Sequence, residues 1–114
     1  MRISPVTHAS IQTVIEEHLA NPVIYPKTRR NRIEINEHSL SIQASENHYC
    51  TPQIDNAEHY TEVEVGFPSF DFPHWFIAKY AEDTGTPQET VYGYVPIVDL
   101  VQALFEVLNK ETKQ

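Results

Sequence analysis

A chain of 114 residues holds one ordinary domain, and its 40 % apolar and 11 % aromatic content is that of a folded protein with a core. Sixteen Asp and Glu against eight Lys and Arg give a formal charge of −8, and no run approaches the ~20 apolar residues of a membrane span. Met1–Ser10 lacks a basic-then-apolar leader pattern, and the single cysteine excludes an intramolecular disulfide framework or a four-cysteine zinc site, so a cytoplasmic setting is expected.

Ser4-Pro5 reads as a helix start, a Ser N-cap with Pro at the first helical position. Ile11, Val14, Ile15, His18 and Leu19 follow at the spacing of one helix face, and Asn21-Pro22 ends the run. A short extended piece, Val23–Pro26, leads into the basic loop Lys27–Asn31. Ile33 and Ile35, a polar turn at Asn36–His38, and Leu40, Ile42 and Ala44 make a β-hairpin by their alternation. His48–Thr51 is expected as a third strand closed by Pro52. His59–Phe67 is the clearest strand, with Thr61, Val63, Val65 and Phe67 facing inward and Tyr60, Glu62 and Glu64 outward.

The aromatic segment Phe67–Asp83 predicts a short helix with Asp71 as its N-cap. Phe67 and Phe76 are assigned to the core, and Trp75, Tyr92 and Tyr94 to exposed contact. Thr90–Val95 is the last strand, with Tyr92 and Tyr94 on one face. Pro96 opens a final helix whose stripe Ile97, Leu100, Val101, Leu104 and Leu108 is widened by Val98 and Phe105. That width implies either burial on two sides or contact with a second subunit, and the second alternative would make a homo-oligomer through this helix. The tail Lys110–Gln114 is expected to fray. The order predicts a single α+β domain over 1–114. It has two layers: an antiparallel sheet of four or five strands, with an N-terminal helix, a short aromatic-rich helix and a C-terminal helix.

Charge is unevenly spread. Met1–Arg32 holds five basic and two acidic residues, a net of +3, while Ile33–Gln114 holds three basic and fourteen acidic, a net of −11. Such a surface repels nucleic acid and attracts basic proteins. Glu62, Glu64, Glu82 and Asp83, with Trp75, Tyr92 and Tyr94, are therefore the candidate partner-binding residues. The basic loop is the alternative site: Lys27, Arg29, Arg30 and Arg32 would take a phosphorylated or nucleotide-like ligand, with Tyr25 stacking on a ring. The plain reading of that loop is arginines paired with the chain's own surplus of acids.

Catalytic patterns are sparse. His48, Cys50, His59 and Asp55 are the one metal-like or nucleophile–base grouping, but their spacing is unfamiliar. They read first as a half-buried cysteine beside two surface histidines, so no metal or cofactor is assigned. Glu62 and Glu64, about 6.7 Å apart along a strand, read first as solvated acids. Three glycines cannot spell either phosphate-binding motif, and the common hydrolase and deaminase signatures are missing.

The expectation is a small acidic, non-enzymatic binding protein, a stoichiometric inhibitor or decoy for a basic, nucleic-acid-handling partner. The counter-defence proteins of phages and mobile elements share its size and charge, though no residue motif carries that likeness. The alternative is an oligomeric protein that sequesters a phosphorylated molecule.

Overall fold

The computed structural model describes residues 1–110 and has three helices and a four-stranded antiparallel sheet. In chain order these are α1 (His8–Leu19), β1 (Ile33–Ile35), β2 (His38–Gln43), β3 (Glu62–Gly66), α2 (His74–Tyr80), β4 (Val91–Pro96) and α3 (Ile97–Lys110). The strands lie side by side in sequence order. The expected α+β plan, with helices at both ends and a short aromatic one between, is the observed one.

Helix α1 starts later than Ser4-Pro5 implies. Thr7 is the N-cap: its hydroxyl accepts from the Ser10 amide at 3.0 Å while the Ser10 hydroxyl accepts from the Thr7 amide at 2.9 Å. This reciprocal box satisfies two end groups at once, which a lone Ser before Pro does not. Ile11, Val14, Ile15 and Leu19 are buried, as their spacing requires.

The hairpin forms with a two-residue turn. Asn36 and Glu37 both have positive φ, 47° and 74°, the geometry that matches the twist of the flanking strands, and His38 begins β2. The register Ile33↔Leu40, Ile42↔Val65, Val65↔Tyr92 and Val63↔Val95 lines these apolar side chains on one face of the sheet. All are buried.

His48–Thr51 is not a strand. The Ser45 hydroxyl accepts from the Asn47 amide at 3.0 Å and the His48 amide donates to the Ser45 carbonyl, so local bonds bend the chain where a ladder was expected. Thr51 alone forms a bridge, to Glu62. Phe67 also departs from expectation. Its φ of 48° turns it off the strand line and leaves it 48 % exposed.

Tyr92 is fully buried, which overturns its assignment to exposed contact. Between the pairs Val63↔Val95 and Val65↔Tyr92, β4 spends one residue more than β3. This bulge lies at Gly93 and Tyr94, where Tyr94 has φ 51°, and it breaks the alternation so that Tyr92 and Val95 share the inner face. Tyr92 packs on Phe72 and Phe76 and its hydroxyl donates to the Pro87 carbonyl at 2.6 Å. Phe76 is buried in the core as assigned.

Asp71 does not cap α2; it accepts from the Gln88 amide group, and Pro73 precedes the helix without a side-chain bond. In α3 the wide apolar stripe is used within the chain. Leu100, Val101, Ala103, Leu104 and Leu108 are buried, α1 packs alongside, and His8 of α1 stacks on Phe105 at 3.9 Å. Val98 remains exposed. The expected fraying concerns a tail of which residues 111–114 lie outside the described residues.

One buried cation ties these layers together. Arg30 is only 7 % exposed, and its guanidinium donates to the carbonyls of Leu19 at 3.0 Å, Asn21 at 2.9 Å and Ala44 at 2.6 Å. The buried Gln43 side chain in turn accepts from the Arg30 amide and donates to the Arg30 carbonyl, both at 2.7 Å. The negative end of α1 and the end of β2 are thus joined through one side chain. Arg30→Met leaves three inward carbonyls without donors. With hydrogen bonds to charged groups contributing about 1.5–3 kcal/mol each and partly replaced by water, urea unfolding should show a loss of about 3 kcal/mol.

Candidate functional site

All three helices pack on one side of the sheet or at its edge, and no helix among the described residues covers the other side. Glu34, Ser39, Ser41, Gln43, Glu62, Glu64, Gly66 and Val91 alternate with the buried set and so share this open face. Segment 48–51 crosses one end of it, and the Arg30–Arg32 stretch borders it elsewhere. The Tyr49 amide donates to the Glu64 carboxylate at 3.0 Å, the Tyr49 carbonyl accepts from the Tyr94 amide at 3.0 Å, and the Thr51 hydroxyl donates to Glu62 at 2.6 Å.

The rings of Tyr49 and Tyr94 stack at 5.7 Å, and both are nearly half exposed. Gly93 makes room for this pair, since a Cβ there would stand 3.3 Å from the Tyr49 Cβ. Glu82 lies beyond the outer edge of β4, beside Val91. Ala81 bridges to Tyr92 and the Glu82 amide donates to the Val91 carbonyl, so alternation turns Glu82 toward the open face, with Asp83 exposed beside it.

The seven residues assigned to partner contact are therefore divided. Glu62, Glu64, Glu82 and Tyr94 lie on the open face, with Asp83 adjacent. Trp75 lies on α2 at the helical side, donating to the Glu106 carboxylate at 3.2 Å, and Tyr92 is core. Glu62 and Glu64 are half-buried, and they fix the crossing segment as well as carrying charge. Tyr49 and Phe67 were not among the assigned contact residues. Gly93 is the sequence signal for Tyr49, because glycine inside a strand marks a bulge or a close approach; nothing in the sequence signals the turn at Phe67.

The basic loop is divided too. Arg30 is structural and drops out as a surface ligand group. Arg32 lies across the sheet, donating to the Ser39 hydroxyl at 3.0 Å and the Phe67 carbonyl at 2.7 Å. Lys27 donates to Asn31, and Arg29 makes no hydrogen bond or ion pair among the described residues. None of the three arginines pairs with an acid there, against the plain reading of the loop. Tyr25 is 89 % exposed on a turn closed by the Lys27 amide on the Ile24 carbonyl; it lines neither of the cavities that the arginines flank. Those cavities are a cleft of about 690 Å³ beside α1 and a notch of about 210 Å³ on the open face.

His48, Cys50 and His59 do not converge. His59 is exposed, His48 Nδ1 pairs with the Ser45 hydroxyl at 2.6 Å, and Cys50 Sγ donates to the Ser45 carbonyl at 3.2 Å. Burial pushes the Cys50 thiol up, the opposite of an activated nucleophile, and no group of three or more candidate metal ligands exists among the described residues. Cys50 should resist alkylation in the folded protein and react at the rate of a free thiol in urea; fast labelling of the folded state would contradict this placement.

His18 and His48 flank Arg30. Burial first, and then the Arg30 charge, holds His18 below the ordinary imidazole value of 6.5, with its Nε2 against the Ile42 carbonyl at 2.9 Å pulling the other way. Burial likewise lowers His48; Glu64 and Asp55 oppose it, and Arg29 and Arg30 add to it. The unfolded chain thus takes up protons at higher pH than the folded one. The stability these two groups contribute is complete above about pH 6.5 and is lost as pH falls below it through their folded values. Urea midpoints should drop between pH 7.5 and 5, and His18→Gln with His48→Gln should flatten that profile.

No protein-family model, curated protein or solved structure matches this chain, so its own residues carry the functional argument.

Proposed function

We propose that this protein is a non-enzymatic binding module whose open sheet face docks a basic region of a partner protein. One observation carries the reading: a sheet face that no helix covers among the described residues bears a stacked, half-exposed tyrosine pair beside Glu62 and Glu64, with Glu82 and Asp83 at its β4 edge. Tyrosines supply anchor area at low entropic cost, and carboxylates select and steer a cationic partner. The net of −11 over Ile33–Gln114 sets the same sign for the field around the face.

The class of partner follows from the charge. A protein that handles nucleic acid has a basic channel, and an acidic domain that fills it acts stoichiometrically, as an inhibitor or decoy, with carboxylates standing where phosphates would. No helix among the described residues is long and apolar enough to cross a membrane, which agrees with a partner met in solution.

The test exploits the division of the candidate residues between two sides. The partner captured at low salt by the unaltered protein should also be captured by Trp75→Ala. Joint substitution Glu62→Gln, Glu64→Gln, Glu82→Gln and Asp83→Asn should weaken capture at least tenfold and flatten its salt dependence. Glutamine keeps the acceptor oxygens for Tyr49 and Thr51, so the fold survives while the charge goes. Equal affinity and salt slope for this variant would refute the proposal.

A further inference from the structure

The notch on the open face reverses the acidic character of the molecule. It is about 210 Å³ in volume and lined by Arg29, Arg30 and Arg32, with Ser41, Gly66 and Phe67 among its other walls and Glu64 as its single carboxylate. Three guanidiniums against one carboxylate leave a local charge of +2 on a chain of −8.

The donors there are not consumed by the protein. Arg29 makes no hydrogen bond or ion pair among the described residues. Arg32 uses only Nη2, which leaves its Nε and Nη1. Arg30 places one bond from each of its three nitrogens on carbonyls, out of five N–H groups, and no carboxylate lies within ion-pair distance of it among the described residues. Ser41 accepts from the Gln43 amide group at 3.0 Å, and its own hydrogen remains to be given. A buried cation is ordinarily paired, and here its charged neighbours around the notch are two more cations and Glu64, which lies beyond ion-pair distance. Gly66 keeps the floor open: a Cβ there would enter the notch between Val91 Cγ1 at 3.5 Å and Ser41 Cβ at 3.8 Å.

We propose that this notch binds the phosphate group of a small phosphomonoester, held by Arg29 and Arg32 with Arg30 behind and the exposed Phe67 ring beside it. The proposal is independent of the docking function above. A phosphomonoester carries about −1.5 to −2 at neutral pH, which matches the +2 of the site, whereas a lone carboxylate leaves half of it uncompensated. Guanidinium forks fit phosphate oxygens bidentately. A volume of about 210 Å³ takes the phosphate and the atoms next to it, so the remainder of the ligand extends along Phe67. A polyanion is disfavoured, because the −11 of the rest of the chain acts on every further phosphate.

The probes are inorganic phosphate and phenyl phosphate, with sodium chloride and sodium acetate at matched ionic strength as references, read by thermal unfolding. Both phosphates should raise the unfolding midpoint by several degrees at saturation above either reference, because a ligand that binds only the folded state stabilises it. Phenyl phosphate should bind more tightly and shift the Phe67 ring resonances. Arg29→Gln, which removes a side chain without a hydrogen bond or ion pair among the described residues, should weaken both at least tenfold without lowering the midpoint in chloride, and Gly66→Ala should weaken phenyl phosphate with every arginine in place. No rise above chloride, an equal rise with acetate, or an undiminished rise in Arg29→Gln would each overturn the proposal.

Discussion

A buried guanidinium in an acidic protein, bonded to carbonyl oxygens and ion-paired with no carboxylate among the described residues, is the constraint on which the arrangement turns. Arg30 sits between the last turn of α1 and the end of β2, where the carbonyls of Leu19, Asn21 and Ala44 accept from its guanidinium. A neutral side chain would leave those oxygens unpaired, and a lysine would offer three donors from a point instead of a planar fork. Gln43 completes the junction from the sheet, although its strand position points to the open face. Fixing this corner fixes the direction from which the chain enters β1, and so the hairpin that borders the open face. Burial at this corner holds His18 and His48 below the ordinary imidazole value, and the Arg30 charge adds to it in the same direction.

The bulge in β4 is the second determinant. By spending one extra residue at Gly93 and Tyr94, the strand sends Tyr92 and Val95 inward together and releases Tyr94 to the opposite side, where Tyr49 meets it. The inner face gains an aromatic cluster of Phe70, Phe72, Phe76 and Tyr92, whose pairs contribute about 0.5–1.5 kcal/mol each beyond burial, and the outer face gains an anchor pair. Core and surface are set by the same local irregularity. The open face is consequently two-sided in character, acidic and aromatic where segment 48–51 crosses it and basic at the notch beside Phe67.

Elements governed by periodicity were legible before any coordinates. The stripes of α1 and α3, the alternation through Ile33–Ile42 and Val63–Val65, and the α+β plan follow from apolar spacing alone. What escaped that reading was decided by single contacts. Ser45 bends His48–Thr51 out of a strand through its own hydroxyl, Phe67 leaves the strand line at positive φ, and the bulge exchanges the expected faces of β4. Arg29, Arg30 and Arg32 are alike in composition and context. Only the packing of α1 against the sheet separates the one that holds the fold from the two that face solvent. The acidic half of the candidate site was legible as charge; its aromatic half was legible at Tyr94 and not at Tyr49.

The central claim, that the sheet face which no helix covers among the described residues is the surface a partner occupies, is most directly tested by hydroxyl-radical footprinting of the free protein and of its captured complex. In the free protein Tyr49, Phe67 and Tyr94 should oxidise rapidly while Phe72, Phe76 and Tyr92 are protected. In the complex Tyr49 and Tyr94 should become protected while Trp75 is modified as before. Protection of Tyr49 and Tyr94 in the free monomer, or protection of Trp75 in place of them in the complex, would contradict the account.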